Sequence, residues 1–157
     1  APTEESGQYP GWVMEQGMMA ANGPAPTIVV DEDDELFLTN TFVPIMLAKA
    51  ALGRLGEGGA IVNISGVIAE QNLPGMAAYG ASKAAIRSFD EAFGREARRK
   101  KVRVLDARPP HTETGLVDRS IEGDAPRMPE GMAPEAVAAT ICQALTEGAK
   151  ELPSSAF

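Results

Sequence analysis

A chain of 157 residues has the size of one domain and can bury about two thirds of its unfolded surface, so it needs no disulfide scaffold. Lys and Arg number 14 against 22 Asp and Glu, a formal net charge of -8, which argues against a phosphate-rich nucleic-acid partner. The single Cys142 excludes an internal bridge and fits a reducing cytoplasm, no uninterrupted apolar run reaches the roughly 18 residues of a membrane span, and the start does not resemble a signal peptide.

Residues 1–27 are rich in Gly, Pro and small side chains and read as loop, with a short strand at "TIVV". From about 32 to 56 the pattern is helical. Leu36, Phe37, Phe42, Ile45, Met46, Leu52 and Leu55 form its apolar face, Asp31 is a candidate cap ahead of an acidic first turn, and "GEGG" ends it. The β-branched run "AIVNIS", 60–65, is a buried strand, and a long helix follows over about 76–101. "VRVLDA", 102–107, is a second buried strand. Strand, long helix and strand make a βαβ unit, whose strands run parallel. The cations Arg98, Arg99, Lys100, Lys101 and Arg103 gather where the long helix ends and complement its carbonyl terminus. A last helix covers roughly 134–149, opened by Pro134 and striped by Val137, Ile141 and Leu145.

"MAAYGASKAA", 76–85, puts Tyr79 and Lys83 four positions apart on the long helix, so the phenol and the ammonium share a face. A phenol with an ordinary pKa of about 10 donates protons poorly at neutral pH, and a neighbouring cation lowers that value. Pro44 lacks an N–H, so an α-helix there loses the bond to the carbonyl of Asn40 and should kink.

The ordered series Asn40, "IVNISG", "AAYGASKAA", "RVLDARPP" and "TETG" resembles the second half of the short-chain dehydrogenase/reductase family, over about residues 33–149. The resemblance implies a Rossmann-like α/β fold, a parallel sheet with flanking helices, truncated at its N-terminus. It implies one domain over 1–157, with an irregular segment at 1–31 and the catalytic half at 32–151. In that family the tyrosine is the general acid or base, the lysine lowers its pKa and holds the nicotinamide ribose, an asparagine completes a proton relay, and a serine orients the carbonyl. Carried over by motif, these roles fall on Tyr79, Lys83, Asn40 and Ser65. Ser65 departs from the pattern: the family serine stands 13 positions before the tyrosine, where this chain has Gly66. Pro109, Thr112 and Thr114 match positions that contact the nicotinamide, with Pro110 in place of the usual glycine. The implied cofactor is NAD or NADP, the substrate a small carbonyl or alcohol, the assembly a homodimer or homotetramer, and the location cytoplasmic. No metal is expected. His111 is a loop residue, and 115–132 corresponds to the substrate lid.

A dinucleotide needs a glycine-rich turn between a strand and a helix. Gly11, Gly17 and Gly23 are spaced six apart, but no strand run is expected before them, so the chain reads as the catalytic half alone. Two functions follow. One is an NAD(P)-dependent oxidoreductase of the alcohol and carbonyl type; the other is an inactive, cofactor-free fragment that keeps the family's helix-mediated association surface, with Ala78, Ala81, Ala85 and Ala92 as a close-packing stripe.

Overall fold

The computed structural model describes residues 12–14, 30–120 and 127–157, and side chains are described from Asp34 onward and not at 121–126. Its centre is a four-stranded parallel sheet in the order β1 (Trp12–Met14), β2 (Ala60–Ile64), β3 (Arg103–Ala107) and β4 (Glu151–Leu152). β2 and β3 are in register from Ala60 opposite Arg103 to Ile64 opposite Ala107. Because side chains alternate along a strand, Ile61 and Val104 project to one face while Val62 and Leu105 project to the other.

Each face has its own helical cover. Ile61 and Val104 pack with Ala48, Ala51, Phe93 and Ala97 from α2 (Val43–Leu52) and α3 (Ala77–Ala97). Val62, Leu105 and Leu152 pack with Val137, Ile141 and Ala144 of α4 (Pro134–Glu147). Ile61, Val62 and Leu105 are fully buried, each contributing roughly 1.5–3 kcal/mol of transfer free energy. Since β2, β3 and β4 are neighbours in sequence order while α3 and α4 cover opposite faces, the two crossovers have opposite hands.

The expected parallel α/β architecture is present, with three corrections to its parts. Trp12–Met14 forms a strand paired with Ile61–Asn63, so the segment 1–31 is not wholly irregular; three residues carry too little periodicity to announce a strand. The "TIVV" strand is not seen at its last residue, because Val30 opens α1 (Val30–Phe37), which also places Asp31 within the helix rather than at its cap; Thr27–Val29 lie outside the described residues, as do Gly11, Gly17 and Gly23. The short β4 follows Gly148, whose φ of 80° ends α4 in the left-handed region that glycine tolerates.

The helix expected at 32–56 is interrupted. Between α1 and α2 lies a π-helical turn, Leu38–Phe42, in which the Val43 N–H bonds to the Leu38 carbonyl. Pro44 supplies the reason: it cannot give the N–H that an α-helix would direct to Asn40, and the wider turn is the form the predicted kink takes. The run Asp34–Leu52, with a mean hydropathy of 1.3, is long and apolar enough by composition to cross a membrane, which corrects the expectation drawn from uninterrupted apolar residues. Here it packs along α3 through Asn40 and Thr41, while Leu38, Phe42 and Met46 face outward.

Candidate active site

The carboxyl ends of β2 and β3 open onto a cavity of about 130 Å³, and both Tyr79 and Lys83 line it. The i, i+4 spacing on α3 therefore does what the sequence predicts and brings both groups to one opening. Lys83 is only 4% exposed, and its Nζ donates to the Ile64 carbonyl at the end of β2, 3.0 Å away. That bond ties the ammonium to the sheet while it lines the cavity.

Tyr79 is held through the backbone. The Ser82 hydroxyl donates to the Tyr79 carbonyl at 2.8 Å, the Asn40 amide donates to the Ser82 hydroxyl at 3.1 Å, and the Thr41 hydroxyl donates to the Ser82 carbonyl at 2.9 Å. The π turn is what brings Asn40 and Thr41, adjacent in sequence, onto one residue of α3. Asn40 is 1% exposed and does not line the cavity. It braces the helix that carries the tyrosine. Ser82 escaped the sequence reading, though a hydroxyl residue beside Lys83 and inside a helix was its available signal.

The expected lowering of the tyrosine pKa is not found. Burial pushes the Tyr79 phenol up to about 12, since removing the phenolate from water costs more than its surroundings return. In this state Tyr79 is a neutral hydrogen-bond donor throughout the physiological range.

Ser65 does not turn its hydroxyl to the tyrosine. It is among the cavity's lining residues, but it is fully buried and its Oγ donates to Oδ1 of Asp106. The physical reason lies at Gly66, whose φ of 77° lets the Ser65 and Gly66 N–H groups both bond to the Ala107 carbonyl, at 3.0 and 3.2 Å. The strand alternation thus continues through Ser65 and keeps its side chain on the Asp106 face. Gly66, at the position of the family serine, lines the cavity without a side chain.

Pro109, Thr112 and Thr114 line the opposite wall as expected, and Pro110 and His111 join them. The Thr112 hydroxyl is turned to the Pro110 carbonyl at 2.9 Å, while Thr114 is exposed. A bridge from Thr112 to Met132 brings the loop back, and Glu113 accepts the Gly131 N–H at 2.7 Å with His111 Nε2 3.5 Å from the same oxygen. Ile68, Leu73, Met76, Leu116, Val117 and Met128 make the rest of the lining apolar.

Beneath this wall lies a buried ionic network that no local motif announced. Arg108, 2% exposed, meets Glu70 Oε1 at 2.8 Å and Glu151 Oε2 at 2.7 Å. Its Nε lies 3.1 Å from Asp106 Oδ2, close enough for charge attraction but poorly aligned as a hydrogen bond. Ser154 donates to Glu70 at 2.6 Å, and Asn63 donates to Asp90 at 2.6 Å. Burial raises the pKa of Asp106 in spite of Ser65 and Arg108, and pushes Asp90 up to about 8. Among the described residues no cluster of His, Cys, Asp and Glu is arranged to hold a metal ion.

The short chain dehydrogenase family model matches residues 13–125. The chain belongs to the short-chain dehydrogenase/reductase family. It is 30% identical over 115 residues to the hydroxynaphthalene reductase-like protein Arp2 of Metarhizium anisopliae, covering 73% of this chain and 43% of that one. It is 32% identical over 132 residues to dehydrogenase/reductase SDR family member 7B of Xenopus tropicalis, covering 78% and 43%. The chain therefore spans less than half the length of these short-chain dehydrogenase relatives. Solved structures share the fold: a short-chain dehydrogenase from Burkholderia cenocepacia in complex with NADP superimposes with a TM-score of 0.79 at 24% identity, covering 96% of this chain and 66% of that one. The angucycline ketoreductase LanV with bound NADP gives 0.78 at 21%, covering 93% and 60%.

Proposed function

We propose that this chain carries the catalytic half of an NAD- or NADP-dependent oxidoreductase that interconverts a small carbonyl compound and its alcohol. The observation that carries the reading is the meeting of Tyr79 and Lys83 at one apolar cavity, with the ammonium fixed to the Ile64 carbonyl. The donors at the cavity suit the nicotinamide ribose end of a dinucleotide: Lys83 offers a cation, and Thr112 and Thr114 offer hydroxyls on the facing wall. The glycine-rich turn that would hold the pyrophosphate is not found among the described residues. A nicotinamide bound there supplies or accepts the hydride. Tyr79, kept neutral by burial, donates its proton to the carbonyl oxygen as charge develops on it, and Lys83, which lines the same cavity, is the cation available to the phenolate left behind. Asn40, through Ser82, holds α3 so that the phenol stays aimed. The apolar lining favours a substrate that is apolar around its carbonyl. The lone Cys142 suits a cytoplasmic, reducing setting.

The test is Tyr79→Phe. NADPH-dependent reduction of a panel of aryl ketones should fall by roughly 10²–10⁴-fold, while NADPH binding followed by fluorescence is retained. A 157-residue chain that binds neither NADH nor NADPH overturns the reading and leaves the cofactor-free fragment.

One observation favours an association surface under either reading. Leu38, Phe42 and Met46, one turn apart, are 53%, 57% and 67% exposed on the helix beside α3, where Ala81 and Ala92 are also exposed and Ala78 and Ala85 half-buried. A homodimer or homotetramer built on this stripe is expected, and Phe42→Ser with Met46→Ser should shift the light-scattering mass to that of a monomer.

A further inference from the structure

A second and larger cleft, of about 620 Å³, lies between the C-terminal half of α3, the start of β3 and the corner where α4 gives way to β4. Its lining shares no residue with the Tyr79 cavity, and its volume falls in the range of small-molecule pockets, about 300–1,000 Å³. Four carboxyl groups line it, those of Asp90, Glu91, Asp106 and Glu151, and the two aspartates are buried. Asp90 is 4% exposed and Asp106 is 5% exposed. Oδ1 of Asp90 accepts from Asn63, but Oδ2 has no hydrogen-bond partner although it is closed off from water. A buried carboxyl oxygen without a donor is a rarity that calls for an occupant.

The cations of the same cleft divide into committed and uncommitted groups. Arg95 pairs with Glu91 at 2.6 Å, and Arg103 reaches the Leu145 carbonyl. The side chains of Arg98 and Lys150 have no acidic partner among the described residues. A purely cationic ligand would meet five positive groups, Arg87 included, and a purely anionic one would meet four carboxyl groups. Only a molecule carrying both signs answers both.

We propose that this cleft is a ligand site distinct from the Tyr79 cavity, for a small amphoteric molecule whose ammonium meets Asp90 and whose carboxylate or phosphate meets Arg98 and Lys150. A turn of the Asp90 carboxyl brings Oδ2 to the cleft, where an ammonium donates to it, and Asp106 beside it adds attraction. The raised proton affinity of Asp90 adds a signature, because a bound ammonium displaces the proton that burial holds there.

The experiment is calorimetric titration of the 157-residue chain with 4-aminobutanoate and 6-aminohexanoate, against butanoate, hexanoate and hexylamine. No cofactor is added, so the outcome is separate from that of the oxidoreductase reading. At least one amino acid should bind about tenfold more tightly than every single-charge analogue and release protons near neutral pH, seen as heats that differ between two buffers. Asp90→Asn keeps the oxygen that Asn63 uses and replaces the other with an amide donor, so it should weaken binding about tenfold, as should Arg98→Ala. Circular dichroism checks that the first variant folds; if it does not, Arg98→Ala decides alone. Equal binding of hexanoate and 6-aminohexanoate, no saturable heat by about 10 mM, or binding unchanged in the folded variants overturns the proposal.

Discussion

Tyr79 and Asp90 lie on the same helix, three turns apart, both buried and both with a proton held more tightly than usual. Their surroundings differ in kind. Around Tyr79 three anchoring bonds end on main-chain carbonyls, Ser82 to Tyr79, Thr41 to Ser82 and Lys83 to Ile64, and a fourth joins the uncharged Asn40 amide to the Ser82 hydroxyl. Around Asp90 and Asp106 the bonds run from side chain to side chain, through Asn63, Ser65, Arg108 and Glu70, and the two aspartates they serve titrate. A main-chain carbonyl does not change charge with pH, so the Tyr79 end keeps its geometry where the Asp90 end changes its energy. Fixed geometry and pH sensitivity are thereby separated along one helix.

The largest test of that contrast is Arg108→Met. It removes the cation that Asp106, Glu70 and Glu151 share. Glu151 is 70% exposed and adds little, but Asp106 and Glu70 are largely buried, and uncompensated buried carboxylates typically cost 3–5 kcal/mol. Urea unfolding should show a loss of about 3 kcal/mol. A loss under about 1 kcal/mol would mean that the network is stabilised by something other than its arginine.

Next comes the pH profile of stability. The folded chain keeps a proton on Asp90 up to about pH 8, whereas an unfolded aspartate loses it near 3.8. Between those values the native state binds more protons, so stability falls as pH rises, with a slope from this group of at most about 1.4 kcal/mol per pH unit. Asp90→Asn should flatten the slope across pH 5–8. Tyr79 acts with the same sign but far from neutrality, between its ordinary 10.0 and about 12, so Tyr79→Phe leaves the profile below pH 9 unchanged. A profile flattened by Tyr79→Phe and not by Asp90→Asn would reverse the comparison.

A smaller effect is expected at the loop that closes the cavity wall. A Cβ on Gly131 would stand 2.8 Å from Glu113 Oε1 and 2.9 Å from the His111 carbonyl. The carboxylate can swing away, but the main-chain oxygen cannot. Gly131→Ala should therefore cost about 1–2 kcal/mol by thermal melting and break the bond from residue 131 to Glu113.

How much of this was legible beforehand follows from the distance between partners along the chain. Tyr79 and Lys83 are four apart, and helical periodicity alone puts them together. The parallel strands were legible because β2 and β3 are short, β-branched and separated by a helix. The brace from Asn40 to Ser82 joins residues 42 apart, and the bond from Ser154 to Glu70 joins residues 84 apart; no periodicity encodes either. Pro44 did announce an irregularity, because a missing N–H is a local fact, but not that the irregularity would be a π turn aimed at α3. The direction of the Tyr79 pKa was misread for a related reason. Lys83 is visible in sequence, while the desolvation that raises the phenol depends on everything packed around the ring.

Ser65 gives the finest test, because it sits where the two environments meet. It lies at the cavity while its hydroxyl bonds to Asp106, so Ser65→Ala asks which side the residue serves. A role in orienting substrate would make the substitution lower turnover by an order of magnitude or more. The observed geometry assigns the hydroxyl to the network instead. Deleting it leaves Asp106 with one fewer donor, and since Arg108 remains nearby the cost should be about 1 kcal/mol in stability, with Asp106 pushed still further toward its neutral form. Reductase turnover per folded molecule should change less than about twofold, measured beside Tyr79→Phe in the same assay. Returning a hydroxyl to the cavity is harder than moving it by one residue: Gly66→Ser finds open space for its Cβ, but it must adopt a φ of 77°, which a serine accepts only at a cost of about 1–2 kcal/mol.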